Sequence, residues 1–399
     1  RLVRALLAGR DAVGLLPTGG GKSVTYLLPA AIRDDLTLVV SPLVSLMADQ
    51  ERRAREIGLP AAAVHGGMPA VARRNSLRAA LEGRLRVLLV APERLRSPGF
   101  APVLESGRIG RIAVDEAHCV VQWGFDFRPA YLALAGIGVS VGCPVLAVTA
   151  TATPSVRRTL EAVLGLRDPV RVQGSFDRPN LAWLARRVPN ERARWLGVVA
   201  ALERGGPTLI YAPTRRTVEA IRTAVARRGV GAEAYHAGLA PAERSRVQDR
   251  FLSGEVRVVV ATNAFGMGVD KADVRQVVHW SPPGSLEAWY QESGRAGRDG
   301  APARAVVFWR PADLRLQARL GRAPGRGRDG HERTEDGPRR PDDGRARHWR
   351  RAARARLRHM ARWLRTRRCR RARLLGYLGE PSPPPRCEGC DRCRPSASL

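Results

Sequence analysis

The sequence predicts an α/β protein in which two tandem units, each built on a parallel sheet, precede a small helical module carrying four cysteines. Three observations lead there. Short, nearly continuous apolar runs alternate with amphipathic stretches through most of the chain, the signature of strands buried on both faces with helices between them. The pattern restarts after Asn180. Beyond residue 310 the composition changes and ends in a cysteine cluster.

The first unit is expected over 1–178. Its strand-like runs lie at 12–16, 37–41, 87–91, 112–115 and 145–149, with amphipathic segments such as 43–57 and 71–81 between them. The second unit is expected over 179–312. Its runs lie at 208–211, 256–261, 276–280 and 303–308, and its helical segments at 217–228, 242–253 and 286–293. Gly205, Gly206 and Pro207 break the chain just before its first strand. Residues 313–346 read as an Arg/Gly/Pro-rich linker, with disorder expected over 321–344. The module is expected over 347–399. Within it Trp349, Ala353, Leu357, Met360 and Leu364 recur at spacings of three and four, which gives one apolar helical face among arginines. That face suits docking on a core, and the arginine side can meet phosphate.

The 399 residues carry a formal net charge of +31, and Lys22 and Lys271 are the only lysines among 68 basic side chains. Residues 311–373 hold 22 Arg against 7 acidic residues, about half of the whole excess. Such a balance predicts a polyanionic partner, with a solvated surface as the plainer reading. An acidic membrane is disfavoured: no apolar run approaches the roughly 20 residues a span requires, and no basic amphipathic anchor precedes an apolar segment. Cys119 and Cys143 stand alone in apolar context and read as small buried residues. Nothing suggests a disulfide-rich secreted scaffold.

Thr18, Gly19, Gly20, Gly21, Lys22 and Ser23 follow a strand and open a helix, the context a phosphate-binding loop requires. Glycines let backbone N–H groups turn inward around phosphate oxygens, and the helix N-terminus adds partial positive charge. Lys22 would reach the β- and γ-phosphates and Ser23 would hold Mg²⁺. Leu16 stands where the first glycine of the loop pattern usually falls. Asp115-Glu116-Ala117-His118 ends the apolar run 111–114, at the strand end where α/β sheets bind ligands. Asp115 would bind Mg²⁺ through water, and Glu116 would orient or deprotonate the attacking water. Alone the tetrapeptide is moderately specific; joined to the loop it is strong.

With these motifs the chain resembles superfamily 2 helicases of the DEAH-box type, and within them the RecQ family. The resemblance rests on SPLVSLMADQ at 41–50, TATAT at 149–153, SFDRPNL at 175–181, YHAGL at 235–239, ATNAFGMGVDK at 261–271 and QESGRAGRDG at 291–300. It implies two RecA-like domains that use ATP, with Gly268 and Asp270 at the nucleotide and Arg295 and Arg298 supplied by the second domain. Arg298 is the expected arginine finger. Ser41 and Pro42 belong to a motif that faces DNA in the family. CVVQWGFDFRP at 119–129 matches an aromatic-rich loop, whose Trp123, Phe125 and Phe127, with Arg128, are expected to meet DNA. Base stacking there is worth about 1–3 kcal/mol per base. By composition alone, core packing of these aromatics is equally consistent. The family has His where this chain has Phe125 and Ser where it has Val121, which bears on a hydrogen bond expected to couple DNA contact to hydrolysis.

Cys369 is followed after 17 residues by Cys387, then Cys390 and Cys393. Four thiolates with no open position suit structural Zn²⁺. An iron–sulfur cluster uses similar spacing, and disulfides are a further alternative. CRR at 369–371, LLGYLGE at 374–380 and CEGCDRC at 387–393 resemble the RecQ zinc module.

The resemblance implies a 3′-to-5′ DNA helicase acting on single-stranded and forked or tailed DNA, in repair or recombination, cytoplasmic and nucleoid-associated. Residue 1 is Arg, and the family's adenine-reading segment is expected upstream of it. The chain stops just after the cysteines, with no room for the family's winged helix or C-terminal accessory domain. Two other readings stand beside this one: a DNA-stimulated ATPase or translocase without strong unwinding, and a non-catalytic zinc- and DNA-binding scaffold.

Overall fold

The computed structural model describes residues 1–17, 20–42, 44–123, 129–265, 271–320 and 343–394. It divides into two compact units, Arg1–Phe176 and Asp177–Leu399, with the cysteine module inside the second.

The first unit carries strands β1 (Ala12–Leu15), β2 (Leu36–Val40), β3 (Ala61–Val64), β4 (Val87–Val90), β5 (Ile109–Val114), β6 (Val145–Thr149) and β7 (Val170–Gln173). They form one parallel sheet in the order β3-β4-β2-β5-β6-β1-β7. Strand β2 shows why these runs read as apolar without alternation. Leu36, Leu38 and Val40 pack into the core on one face of the sheet, and Val39 packs into the core on the other. Both faces are dry, so four of its five positions are apolar, and the buried Thr37 hydroxyl accepts from Arg111.

The second unit carries β8 (Leu181–Arg187), β9 (Thr208–Tyr211), β10 (Ala232–Tyr235), β11 (Val258–Ala261), β12 (Gln276–His279) and β13 (Ala303–Trp309). Their order is β10-β11-β9-β12-β13-β8, again parallel throughout. Local signals start its helices. Asn190 accepts the Ala193 N–H, Thr214 that of Thr217 and Ser285 that of Ala288, each at an N-cap; each such cap stabilises its helix by about 1 kcal/mol.

Helix Pro311–Leu320 runs past the boundary expected at residue 312, and helix Asp343–Arg365 begins inside the stretch expected to be linker. Asp343 and Gly344, expected to be disordered, open that helix, while 321–342 lie outside the described residues. Met360 and Leu364 are buried as their spacing predicts, and Trp363 joins them. Among the described residues no helix is long and apolar enough to cross a membrane.

Candidate nucleotide site and cysteine centre

The phosphate loop connects β1 to helix Val24–Ile32, so it leaves the carboxyl end of a central strand. Gly20 and Gly21 earn their place sterically. A Cβ on Gly20 would stand 2.9 Å from the Pro17 carbonyl oxygen, and Gly21 has φ +74°, a left-handed backbone that glycine adopts without cost. Ser23 occupies the N-cap of the helix. Thr18 and Gly19 lie outside the described residues.

Strand β5 ends beside this loop and delivers the acidic pair. Lys22 Nζ lies 2.9 Å from Glu116 Oε1, with both side chains about five-sixths buried. Asp115 is buried, and its Oδ1 accepts the Glu116 N–H at 2.8 Å. Burial first, then the neighbouring Glu116 carboxylate, push Asp115 up to about 6, while Lys22 pulls it down. Glu116 itself has φ +45°. A non-glycine residue held there is strained by about 1–3 kcal/mol, and it lies in the turn after β5, where its carboxylate meets Lys22.

The pair is tied to the next strand. His118 Nδ1 lies 2.8 Å from Thr149 Oγ1 and 3.4 Å from Glu116 Oε2. Thr149 Oγ1 also accepts the Thr151 N–H at 3.2 Å. The 149–153 motif thereby touches the acidic motif through His118, a link the sequence held only as two separate strings.

This donor set fits a magnesium–triphosphate. The loop has room for backbone approach at its glycines, one ammonium is within reach, and a buried carboxylate is penalised for its charge unless a cation joins it. Ser23 and Asp115 are the residues that would hold magnesium.

In the second unit, Arg295 and Arg298 follow helix Leu286–Ser293. Arg295 is buried and Arg298 half-buried. Both bear on Tyr211, the last residue of β9: burial raises the Tyr211 hydroxyl to about 12, and the two arginines oppose it. They therefore stand at the carboxyl end of their sheet. Gly268 and Asp270 lie outside the described residues, as do Phe125, Phe127 and Arg128. Trp123 ends helix His118–Trp123. Ser41 and Pro42 are buried, Ser41 to 1% exposure. They stand directly after the last residue of β2.

The four cysteines converge. Sγ atoms of Cys369, Cys387, Cys390 and Cys393 all lie within 4.8 Å of one another. A tetrahedral zinc with sulfurs about 2.3 Å away requires such a cluster. Hydrogen bonding from Cys387 holds Cys390 down at about 4, and Cys387 is raised in turn. Thiols so crowded share protons that a cation would displace. The centre is pinned to the edge strand β8: Trp183 N–H donates to the Gly389 carbonyl at 2.8 Å. Sequence reasoning missed the pair behind it. Arg370 Nε and Nη2 donate to Asp391 at 2.6 and 3.0 Å, with both side chains almost wholly buried.

Helix Asp343–Arg365 and the residues after it also enclose a 560 Å³ groove lined by Arg358, Arg362, Arg365, Arg367, Arg368 and Arg373, with no carboxylate in its walls.

Three known families match in chain order. One described as DEAD/DEAH box helicase matches 1–159, one described as helicase conserved C-terminal domain matches 192–300, and one described as RecQ zinc-binding matches 334–394. The ATP-dependent DNA helicase RecQ of Haemophilus influenzae is 37% identical over 98% of this chain and 60% of its own length. The probable ATP-dependent DNA helicase RecS of Bacillus subtilis is 38% identical over 80% of this chain and 65% of its own length. The chain thus spans about three-fifths of the length of the Haemophilus influenzae and Pasteurella multocida relatives it matches. Among solved structures, the Mycobacterium smegmatis helicase Lhr superposes with a TM-score of 0.61 at 24% identity, covering 79% of this chain and 46% of Lhr; the similarity is one of fold.

Proposed function

This chain belongs to the RecQ helicase family, and we propose that it couples ATP hydrolysis to 3′-to-5′ movement along single-stranded DNA and to opening of tailed or forked duplex. The observation that carries this reading is the Lys22–Glu116 ion pair beside the buried Asp115. It joins the cation that attracts a γ-phosphate and the carboxylate that handles water within one hydrogen bond.

In this reading, backbone N–H groups of 18–23 cradle the phosphates. The triphosphate competes with Glu116 for the Lys22 ammonium, and the released carboxylate orients water and accepts its proton. Ser23 and Asp115 would hold magnesium, which would offset the negative charge of the phosphates. Arg295 and Arg298 are assigned to the charge that spreads over the transferred phosphoryl group, and Gly268 and Asp270 to the nucleotide. His118 and Thr149 relay the state of Glu116 to the 149–153 motif. Trp123, Phe125, Phe127 and Arg128 are assigned to DNA, together with the arginine groove of the cysteine module. Cys369, Cys387, Cys390 and Cys393 would hold zinc, which would supply a structural tie for the module beside β8.

The test is ATP hydrolysis with and without single-stranded DNA, followed by strand displacement on 3′-tailed and 5′-tailed duplexes. The reading expects DNA-dependent hydrolysis and displacement from the 3′ tail. Hydrolysis without displacement on either substrate overturns the helicase assignment in favour of a translocase. Absence of hydrolysis overturns the motor itself.

A further inference from the structure

We propose that Arg178 is a positioning residue for the arginine loop 294–301, and that Arg371 of the cysteine module anchors Arg178 in turn. The inference rests on the assignment of Arg295 and Arg298 to the phosphoryl group.

The loop follows the last turn of helix Leu286–Ser293, where carbonyl groups lose their helical partners. Arg178 Nη1 donates to the Gly294 carbonyl at 3.1 Å, and Nη2 donates to those of Ala296 and Gly297 at 3.0 and 2.7 Å. Asn180 Nδ2 donates to Gly297 and Ala301, both at 2.8 Å. The accepting carbonyls bracket Arg295 and Arg298 on both sides. The grip is close. Gly297 has φ +60°, and a Cβ there would stand 2.6 Å from Asn180 Nδ2 and 2.8 Å from the Ala301 carbonyl oxygen. A guanidinium fork matches this set of acceptors; a lysine ammonium is one point on a flexible stem.

Arg178 is held from behind. Its N–H donates to Asp177 Oδ1 at 2.8 Å, and its carbonyl accepts from Arg371 Nη1 at 2.8 Å. Arg371 also pairs with Asp177, donates to the Leu181 carbonyl at 2.6 Å and lies 4.8 Å over the Trp183 ring. Arg371 is the second residue of helix Arg370–Leu378, whose N-cap is Cys369. One line of hydrogen bonds therefore runs from the cysteine module to the loop that carries the finger arginine. A merely structural staple would use the same contacts, so the distinction lies in what its loss changes.

The experiment compares wild type, Arg178→Lys, Arg178→Ala with and without guanidinium, Arg371→Lys and Arg298→Ala in the full chain, reading kcat and KM for ATP with saturating single-stranded DNA, DNA affinity and melting temperature. Positioning predicts that Arg178→Lys lowers kcat by about tenfold or more at unchanged KM and DNA affinity, with a smaller loss of the same kind in Arg371→Lys. It also predicts that Arg178→Ala regains part of its kcat with millimolar guanidinium. A kcat within twofold of wild type in Arg178→Lys overturns the proposal. So does a loss matched by equal loss of folded protein in both lysine variants without guanidinium rescue. If wild type fails to hydrolyse ATP, or Arg298→Ala turns over normally, the underlying site assignment has failed instead.

Discussion

Lys22 Nζ and Glu116 Oε1 are 2.9 Å apart although 94 residues separate them in the chain. The contact exists because β1 and β5 both end at the carboxyl edge of one sheet, on either side of β6. Lys22→Ala removes the ammonium that stands beside two carboxylates. Asp115, which Lys22 holds down, then rises further, and triphosphate meets an uncompensated negative site. Hydrolysis should fall at least about 100-fold, measured as phosphate release, while anisotropy of labelled single-stranded DNA stays within twofold. Undiminished turnover in this variant refutes the phosphate role.

Glu116→Gln separates holding from chemistry. The amide still accepts a hydrogen bond from Lys22, so ATP should bind as well as in wild type or better. It cannot take a proton, and general-base catalysis is worth about 10²–10⁴-fold. Single-turnover hydrolysis with a parallel nucleotide-binding titration checks both halves. A loss below tenfold would reassign the water-handling group.

How far the sequence carried depends on where each residue sits. The nine strands it marks are the interior strands of both sheets, and the four it passes over are their four edges: β3 and β7 in one, β10 and β8 in the other. The reason is solvation. Interior strands are mostly apolar, and polar members such as Thr37, Arg111 and Gln276 are buried, whereas β7 alternates as Val170-Arg171-Val172-Gln173, β10 contains Glu233, and β8 ends in Arg186 and Arg187. Alanine-rich β3 lacks the branched side chains that signal a strand. The site divides likewise. The phosphate loop and the acidic pair are local strings, legible at once. Arg178 to Gly297 spans 119 residues and Arg371 to Asp177 spans 194, and no local pattern announces such pairs. Ser41 and Pro42 show the converse: a motif string identifies the segment without revealing which side chains it exposes.

Cys390→Ser tests the centre. Its Sγ is the thiol held most acidic, and its neighbour Gly389 carries the hydrogen bond to Trp183. Removing one of four thiolates should release the metal and loosen 369–393 from β8. Elemental analysis should show loss of one zinc per chain, and limited proteolysis a new cut in that segment. Stoichiometric zinc in the variant defeats the assignment.

Arg370 and Asp391 lie 2.6 Å apart with side-chain exposures of 0% and 4%. Asp391→Ala leaves a guanidinium buried against Trp363 with no counter-charge, and breaking such a pair from one side costs about 3–5 kcal/mol. Arg10 and Asp168, paired at 3.2 Å but largely exposed, offer the contrast: Asp168→Ala should cost under about 1 kcal/mol through that pair. Urea unfolding monitored in the second unit reads the first and in the first unit the second. Equal small effects would mean the buried pair does not hold the module.

The arginine groove makes a prediction about salt. Arg358, Arg362, Arg365, Arg367, Arg368 and Arg373 converge with no carboxylate among them, an arrangement that repels itself and is relieved by a polyanion. Each phosphate neutralised on duplex DNA contributes about 0.9 to the slope of log affinity against log salt, and about 0.7 on single strands. Losing the two contacts in Arg362→Glu with Arg365→Glu should therefore flatten the slope by about 1.4 on single strands to about 1.8 on duplex, and weaken DNA binding at low salt most. Basal ATPase without DNA should not change, because neither residue is assigned to the nucleotide. Anisotropy titrations across a salt series give the slope directly. An unaltered slope in the double variant would show that the groove's charge is solvated in the complex, and DNA affinity would then have to come from other arginines of the chain.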